Sequence, residues 1–289
     1  MSLKAVFYTI LALIAFSANS IFCRMALGGQ SIDAASFTII RLLSGAITLG
    51  LILLLTHKVN SNRSKGSWPA ALMLFIYALS FSYAYISLDA GTGALILFGS
   101  VQLSMITISL LSGTRLHYTE WLGVALAFCG FIYLILPGVS TPSGTGFLLM
   151  TVSGVAWGGY TLMGKGSESP LSDTGYNFIR TLPLVAIMLI IGLSEIPYSS
   201  KGITLAILSG AFASGIGYSI WYLALPLLTS TQAAVVQLTV PLFATLGGVL
   251  FLNELINTRL FISTALILGG ILLVVLGRRF LNLRFRHIH

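Results

Sequence analysis

Long uncharged apolar runs decide what this chain can become. Residues 233–252, "AAVVQLTVPLFATLGGVLFL", contain no charge at all. A helix that crosses a bilayer needs about 20 mostly apolar residues. Mostly apolar runs of about this length, several with one or two charges, recur at about 3–27, 32–56, 68–88, 91–113, 118–136, 143–164, 173–194, 202–223, 229–251 and 258–277. Between them lie turn- and charge-bearing segments such as "GGQSID", "HKVNSNRSKGS", "LPGVSTPSGTG" and "KGSESPLSD". The expectation is an all-α integral membrane protein of ten transmembrane helices, with neighbours mostly joined as antiparallel hairpins. A β-barrel is excluded, because barrel strands alternate over about ten residues and these runs are continuous. Composition agrees: 8% of the 289 residues are charged and 56% are hydrophobic, whereas a soluble domain carries about 25% charged residues. The first run begins like a signal peptide with Lys4, but it is too long and lacks a small-x-small cleavage site.

The net charge of +8 would suggest nucleic acid only if the basic residues formed a patch on a soluble domain. Here they sit at the ends of apolar runs and report orientation, so no nucleic-acid partner is expected. The side on which the chain begins carries Lys4, Lys58, Arg63, Lys65, Arg115, Lys165, Arg278, Arg279, Arg284 and Arg286; the other carries Arg24, Lys201 and Arg259. This asymmetry places both termini in the cytoplasm of a bacterial-type inner membrane. The basic tail "GRRFLNLRFRHIH" then lies against anionic lipid headgroups, with His287 and His289 as solvated tail rather than a metal site. Cys23 and Cys129 show no redox or metal spacing and read as packing residues.

The second half of the chain repeats the first. "FTIIRLLSG" (37–45) matches "YNFIRTLPL" (176–184), with Arg41 and Arg180 139 residues apart, and Gly130 of "LAFCGFIYLIL" is again 139 residues from Gly269 of "LILGGILLVVL". "AFSANSIFCR" (15–24) matches "AWGGYTLMGK" (156–165) at a shift of 141, and Tyr85 matches Tyr222 at 137. Gln102 and Gln237, each within a Val-Gln-Leu triplet, are 135 apart. The expected division is 1–140 and 141–289, five helices in each repeat, the second with the basic tail. An odd number of spans per half makes the repeat inverted, the plan in which two like halves exchange conformations around one midplane site.

With these features, and with "VPLFATLGGVLFLNELINTRLFISTALILGGILLVVLG" closing the second half, the chain resembles the drug/metabolite transporter (DMT) superfamily, EamA type, over nearly its whole length. Pro241, Glu254 and the pair Gly269–Gly270 carry the resemblance most specifically. The first half departs from the pattern: Ser104 or Met105 stands where a proline would, and Arg115 where Glu254 aligns. Within the superfamily the resemblance points to the YddG-like aromatic amino acid exporters. It implies a secondary transporter that moves small metabolites, first of all aromatic amino acids, by alternating access. A broad small-metabolite or drug exporter is the alternative, and a non-gated channel a more distant one.

Helical spacing puts residues at i, i+3 or i+4, and i+7 on one face. In the ninth span that face reads Ser230, Ala233, Gln237, Pro241, Ala244 and Gly248, small and polar on an otherwise aliphatic helix, and Pro241 is expected to kink it. The fourth span offers Phe98, Gln102, Met105 and Ser109. Aromatic residues lie deep in other spans, away from the interface belt where Trp68, Tyr118, Trp121 and Tyr198 are expected. The proposed substrate-binding residues are Phe16, Asn19, Tyr77, Phe81, Gln102, Trp157, Tyr160, Tyr218, Gln237 and Pro241. Rings and amides of this kind suit a planar aromatic solute. Each also has a plainer role open to it, as helix packing for the rings and as bonds across helices for the amides. Arg41 and Arg180 are expected to snorkel or to hold loop carbonyls. The small pair Gly154 and Gly158 is expected to bring helices close.

Absent features narrow the function. All seven acids fall at span ends or in loops, so no essential buried carboxylate, and hence gradient-independent exchange or export, is expected. No G-x-x-x-x-G-K phosphate loop occurs, so ATP is not the driver. No His/Cys/Asp cluster offers a metal site, and no cofactor is expected. An enzyme would need a Ser, His, Asp or Lys cluster at one depth, and none is present. The partners expected are a small-molecule substrate and membrane lipid, with function as a monomer.

Overall fold

A computed structural model of the chain describes residues 3–56, 65–113, 116–138, 141–165, 167–191, 199–228 and 230–286. Among these every element is helical: α1 (Leu3–Gly28), α2 (Ala34–Leu55), α3 (Trp68–Ala84), α4 (Ala90–Leu111), α5 (Tyr118–Ile135), α6 (Gly144–Met163) and α7 (Pro170–Ile190). A continuous helical run from Ser200 to Leu227 follows, made of α8 (Ser200–Ile207), a wider π-helical stretch (Leu208–Ile216), α9 (Gly217–Ala224) and a last tight turn. Then come α10 (Ser230–Gln237), α11 (Val240–Leu252) and α12 (Thr258–Arg286). His287 and His289, like Tyr198, lie outside the described residues, and so do the loop cations Lys58, Arg63 and Arg115.

The loops carry the residues that start the helices. Asp33 accepts the Ser36 N–H at 2.9 Å to open α2, Ser143 accepts from Gly146 at 3.0 Å for α6, and Ser199 from Gly202 at 3.0 Å for α8. Each satisfies an amide that the first turn leaves unpaired. Ser67 caps α3 ahead of a proline in its first turn.

Among the described residues eight segments are long and apolar enough to cross a membrane, against the ten expected. The third expected span, α3, is 17 residues long. The seventh, α7, places Asp173, Asn177 and Arg180 in its first half, where they bind the 65–67 segment rather than face lipid. Leu54, Leu122, Phe128, Leu189, Leu250 and Phe261 are exposed around the outside, the greasy surface of a protein solvated by lipid. Trp68, Tyr118 and Trp121 are exposed at the starts of their helices, as a belt requires.

The main helix pairs recur when the two halves are exchanged. α1 packs on the 200–227 run as α6 packs on α3, α1 packs on α11 as α6 packs on α4, and α2·α7, α4·α11 and α5·α12 pair like with like. Glycines make these seams close. A Cβ on Gly154 would lie 2.7 Å from the Leu97 carbonyl oxygen, and one on Gly158 2.3 Å from the Ser104 hydroxyl, so the small pair seats α6 against α4 as expected.

Cross-ties separate two faces of the bundle. On one lie Ser31, Ser87, Asp89, Ser143, Ser199 and Glu254; on the other lie the 65–67 segment, the α6–α7 connection and the end of the 200–227 run.

Candidate substrate site

Between the halves is a cavity of about 690 Å³. Helical spacing brings its lining together: Phe16, Asn19 and Ser20 from α1, Tyr77 and Phe81 from α3, and Phe98, Gln102 and Met105 from α4. From the other half come Trp157 and Tyr160 on α6, Tyr218, Trp221 and Tyr222 on α9, and Ala233 and Gln237 on α10. Nine of the ten residues singled out in the sequence line it; Pro241 does not. Pro241 is buried near the start of α11, just past an interruption of the helix. The helix turns at Leu238 and Thr239, whose amides reach back three residues to Val235 and Val236 at 3.1 Å. The stripe therefore splits. Ala233 and Gln237 face the cavity, while Ala244 and Gly248 are buried past the break, where α11 packs on α1 and α4. Ser109, expected on the face of Gln102, is not among the lining residues.

The rings form one connected group. Trp157 stacks on Tyr160 at 5.2 Å and on Tyr218 at 5.4 Å, and tilts against Tyr77 at 4.7 Å. Phe16 joins it through Tyr218 at 5.7 Å and Trp221 at 5.8 Å. Each well-placed pair contributes roughly 0.5–1.5 kcal/mol beyond its burial. Two polar chains cross the wall. Ser209, in the π-helical stretch, donates to Asn19 Oδ1 at 2.5 Å, and Asn19 Nδ2 donates to the Tyr77 hydroxyl at 3.3 Å. Tyr160 donates to Thr174 at 3.0 Å, and Thr174 shares a 2.7 Å bond with Tyr222. The wider π turn is a local irregularity of the kind often found at functional sites.

The cavity runs out to the face of the 65–67 segment, past Lys165, Ser167, Pro170 and Asp173. There Asp173 accepts from the Gly66 amide at 2.7 Å and from the Ser167 hydroxyl at 2.5 Å, Asn177 accepts from the Ser67 amide at 2.9 Å, and Arg180 donates to the Lys65 carbonyl. Gly66 has φ +67°, and a Cβ on it would lie 2.2 Å from Asn177 Oδ1, so both conformation and space require glycine there.

The opposite face is shut. Arg24 bonds Glu254 at 3.3 Å, Asp89 at 3.2 Å, and the Tyr85 and Ile86 carbonyls at 3.3 and 3.2 Å. Glu254 also accepts from the Ala90 amide at 2.9 and 3.1 Å and so caps α4 from the other half. Asn253, with φ +54°, turns the chain to place it. Burial raises the Glu254 carboxyl above its ordinary value, against the Ala90 amide and Arg24, which favour the ionised form.

The expectation for Arg41 is overturned. It is 1% exposed and neither snorkels nor holds a loop carbonyl; it donates to the Tyr77 hydroxyl at 2.9 Å. Arg180 does hold a loop carbonyl. The sequence reading also passed over Thr174 and Asn177, which line the cavity. Their signal was present as a polar i, i+3 pair in the half of the seventh span that reads least like a membrane helix. Among the described residues no group of three or more His, Cys, Asp or Glu is close enough to hold a metal ion.

The sequence matches the family described as the EamA-like transporter family twice, over residues 3–136 and 144–276. The chain belongs to this family. It is 46% identical over 275 residues to an uncharacterized protein of Pseudomonas aeruginosa, covering 95% of this chain and 96% of that one. The uncharacterized transporter YwfM of Bacillus subtilis is 23% identical over 86% of each chain, and an uncharacterized transporter of Archaeoglobus fulgidus is 26% identical over 73% of this chain and 78% of its own. A crystal structure superposes with a TM-score of 0.62 at 18% identity, over 93% of this chain and 97% of that one, which shows a shared fold. This EamA-family chain is thus a multi-span membrane protein from a family of transporters, and the cavity between its halves is the candidate site.

Proposed function

We propose that the chain is a secondary transporter of the bacterial inner membrane that exports small aromatic metabolites, first of all aromatic amino acids, by alternating access. One observation carries this reading: a cavity lined by stacked rings and two glutamines opens on one face and is shut on the other by Arg24, Asp89 and Glu254. The charge asymmetry of the loops makes the open face cytoplasmic, with both termini there. The repeat is then two inverted halves, 1–140 and 141–289, of five membrane passes each, with α3 and α7 as the short and the polar pass. One chain contains the whole cavity and functions as a monomer. Phe16, Phe81, Trp157, Tyr160 and Tyr218 contact the solute's ring, while Gln102, Gln237 and the linked pair Asn19–Tyr77 serve its polar end. Pro241 acts by breaking the ninth span so that Gln237 points inward.

A broader exporter of small metabolites or drugs is the second reading. It draws on the cavity's volume of about 690 Å³, within the range of about 300–1,000 Å³ that accepts drug-sized ligands.

The test is uptake of tryptophan or phenylalanine into liposomes containing the purified protein, with no ion gradient imposed. Saturable flux is expected, and Gln237→Leu should lose most of it. Flux of other metabolites without any of aromatic amino acids would favour the second reading. Undiminished flux in Gln237→Leu would reduce that glutamine to a bond between helices.

A further inference from the structure

Arg41 is a charge that its surroundings leave open. It lies seven residues into α2 from Ala34, about 10 Å below the closed face at helical rise. Its guanidinium sits over the rings of Tyr77 and Phe81, 5.1 and 4.8 Å from their centres. Nη2 donates to the Tyr77 hydroxyl, and Nη1 has no partner. Both ion pairs among the described residues belong to Arg24, so no carboxylate balances Arg41. The ionisable groups around it are Tyr77, Tyr218 and Cys23, none of them a carboxylate. A charge held at this depth without a counter-charge is expensive, and packing alone does not require one.

The Tyr77 hydroxyl shows where the counter-charge belongs. Its oxygen takes N–H bonds from both Arg41 and Asn19. Both lone pairs are then engaged, and its own proton is left to donate. Tyr77 lines the cavity, as does Phe81 beside it. We propose that the cavity holds an anionic head group, a carboxylate, which accepts the Tyr77 O–H and is balanced by Arg41 behind it, with the solute's ring against Trp157 and Tyr218. Arg41 is a positioning residue, acting through Tyr77. The ring rests on the function proposed above; the anion does not. The proposal asks nothing of an ammonium group; the acid in the cavity wall, Asp173, is engaged at the open mouth by Gly66 and Ser167.

The experiment is titration calorimetry on the purified full chain with 3-phenylpropionate, phenylalanine, phenethylamine, hexanoate and inorganic phosphate. The two aromatic acids are expected to bind, and phenethylamine about tenfold or more weakly, the loss of one bond to a charged group. Tyr77→Phe and Arg41→Gln should erase that preference for acids, and Arg41→Lys should restore it. If Arg41→Gln does not fold, Tyr77→Phe decides. Equal binding of phenethylamine, or a preference that survives Tyr77→Phe, overturns the proposal. Binding of hexanoate or phosphate without the aromatic acids keeps the anion site and overturns the aromatic substrate. Binding of none of the five overturns both.

Discussion

Two adjacent glycines show how finely single residues are set. Gly269 and Gly270 form a pair in the sequence, yet a Cβ on Gly269 would meet nothing within 4 Å, whereas one on Gly270 would lie 2.5 Å from the Gly123 carbonyl oxygen and 2.7 Å from the Ala127 amide nitrogen. Backbone atoms at those distances cannot move aside without separating α5 from α12. Gly270→Ala should therefore lower the melting temperature in detergent, with a cost on the order of 1–3 kcal/mol. Gly269→Ala should be neutral or raise it, by up to about 1 kcal/mol of helix propensity. Similar losses in both variants would mean that the seam is looser than its geometry. The sequence marked the pair as one feature, because spacing alone does not give the rotation of α12 against its neighbour. The same limit applies to Arg41, whose position near a helix end suggested snorkelling, and whose partner Tyr77 lies on another helix.

At the scale of elements, the ends of helices carry the closing of the cavity. Arg24 ends a chain of contacts that joins α1, the α3–α4 corner and the segment after α11. Arg24→Gln removes the cation between Asp89 and Glu254 and loosens the corner. An impermeant thiol reagent, added from the closed face, should then label a cysteine placed at the cavity-lining Ser20 faster than when Arg24 is present, both measured with Cys23 and Cys129 replaced. The pH dependence follows from Glu254. Its carboxyl in the closed form lies above the ordinary value of 4.5. The stability it gives that form is fully present below 4.5 and is lost as pH rises through the raised value. The excess labelling of Arg24→Gln should accordingly shrink on acidification, as the Glu254 carboxylate is neutralised. Equal labelling with and without Arg24 at every pH would mean that the closure depends on other contacts. The helices, the repeat and the deep rings were legible in the sequence because period and apolarity record them. The break at Leu238–Thr239 was legible only as Pro241. A proline marks where a helix is weakened, whereas whether it bends or breaks depends on what packs beyond it.

For the whole molecule, the exchangeable packing of the two halves predicts a second state, open on the face now shut. The main seams have counterparts: where α1 meets the 200–227 run in one half, α6 meets α3 in the other. A rearrangement that opens one face can therefore close the other with the same kinds of contact. The faces differ now in their ties. Ser87 and Ser143 lie across the shut face with their hydroxyl oxygens 2.6 Å apart, one at the α3–α4 corner and the other at the cap of α6, so the bond joins the two halves. Side chains that meet at their tips make the two positions candidates for a disulfide, which needs Cβ atoms about 3.5–4.5 Å apart. Oxidised, the Ser87→Cys/Ser143→Cys protein should be held with its cavity open only to the face of the 65–67 segment. Transport should stop and return on reduction, while a ligand reaching the cavity from that open face should bind with unchanged affinity. Each single-cysteine variant should transport whether oxidised or reduced. A carrier that alternates must lose flux and keep binding under this cross-link. A channel would keep both, or lose both if the cross-link distorted the pore. Flux and binding measured on the same oxidised sample therefore separate alternation from a continuous path.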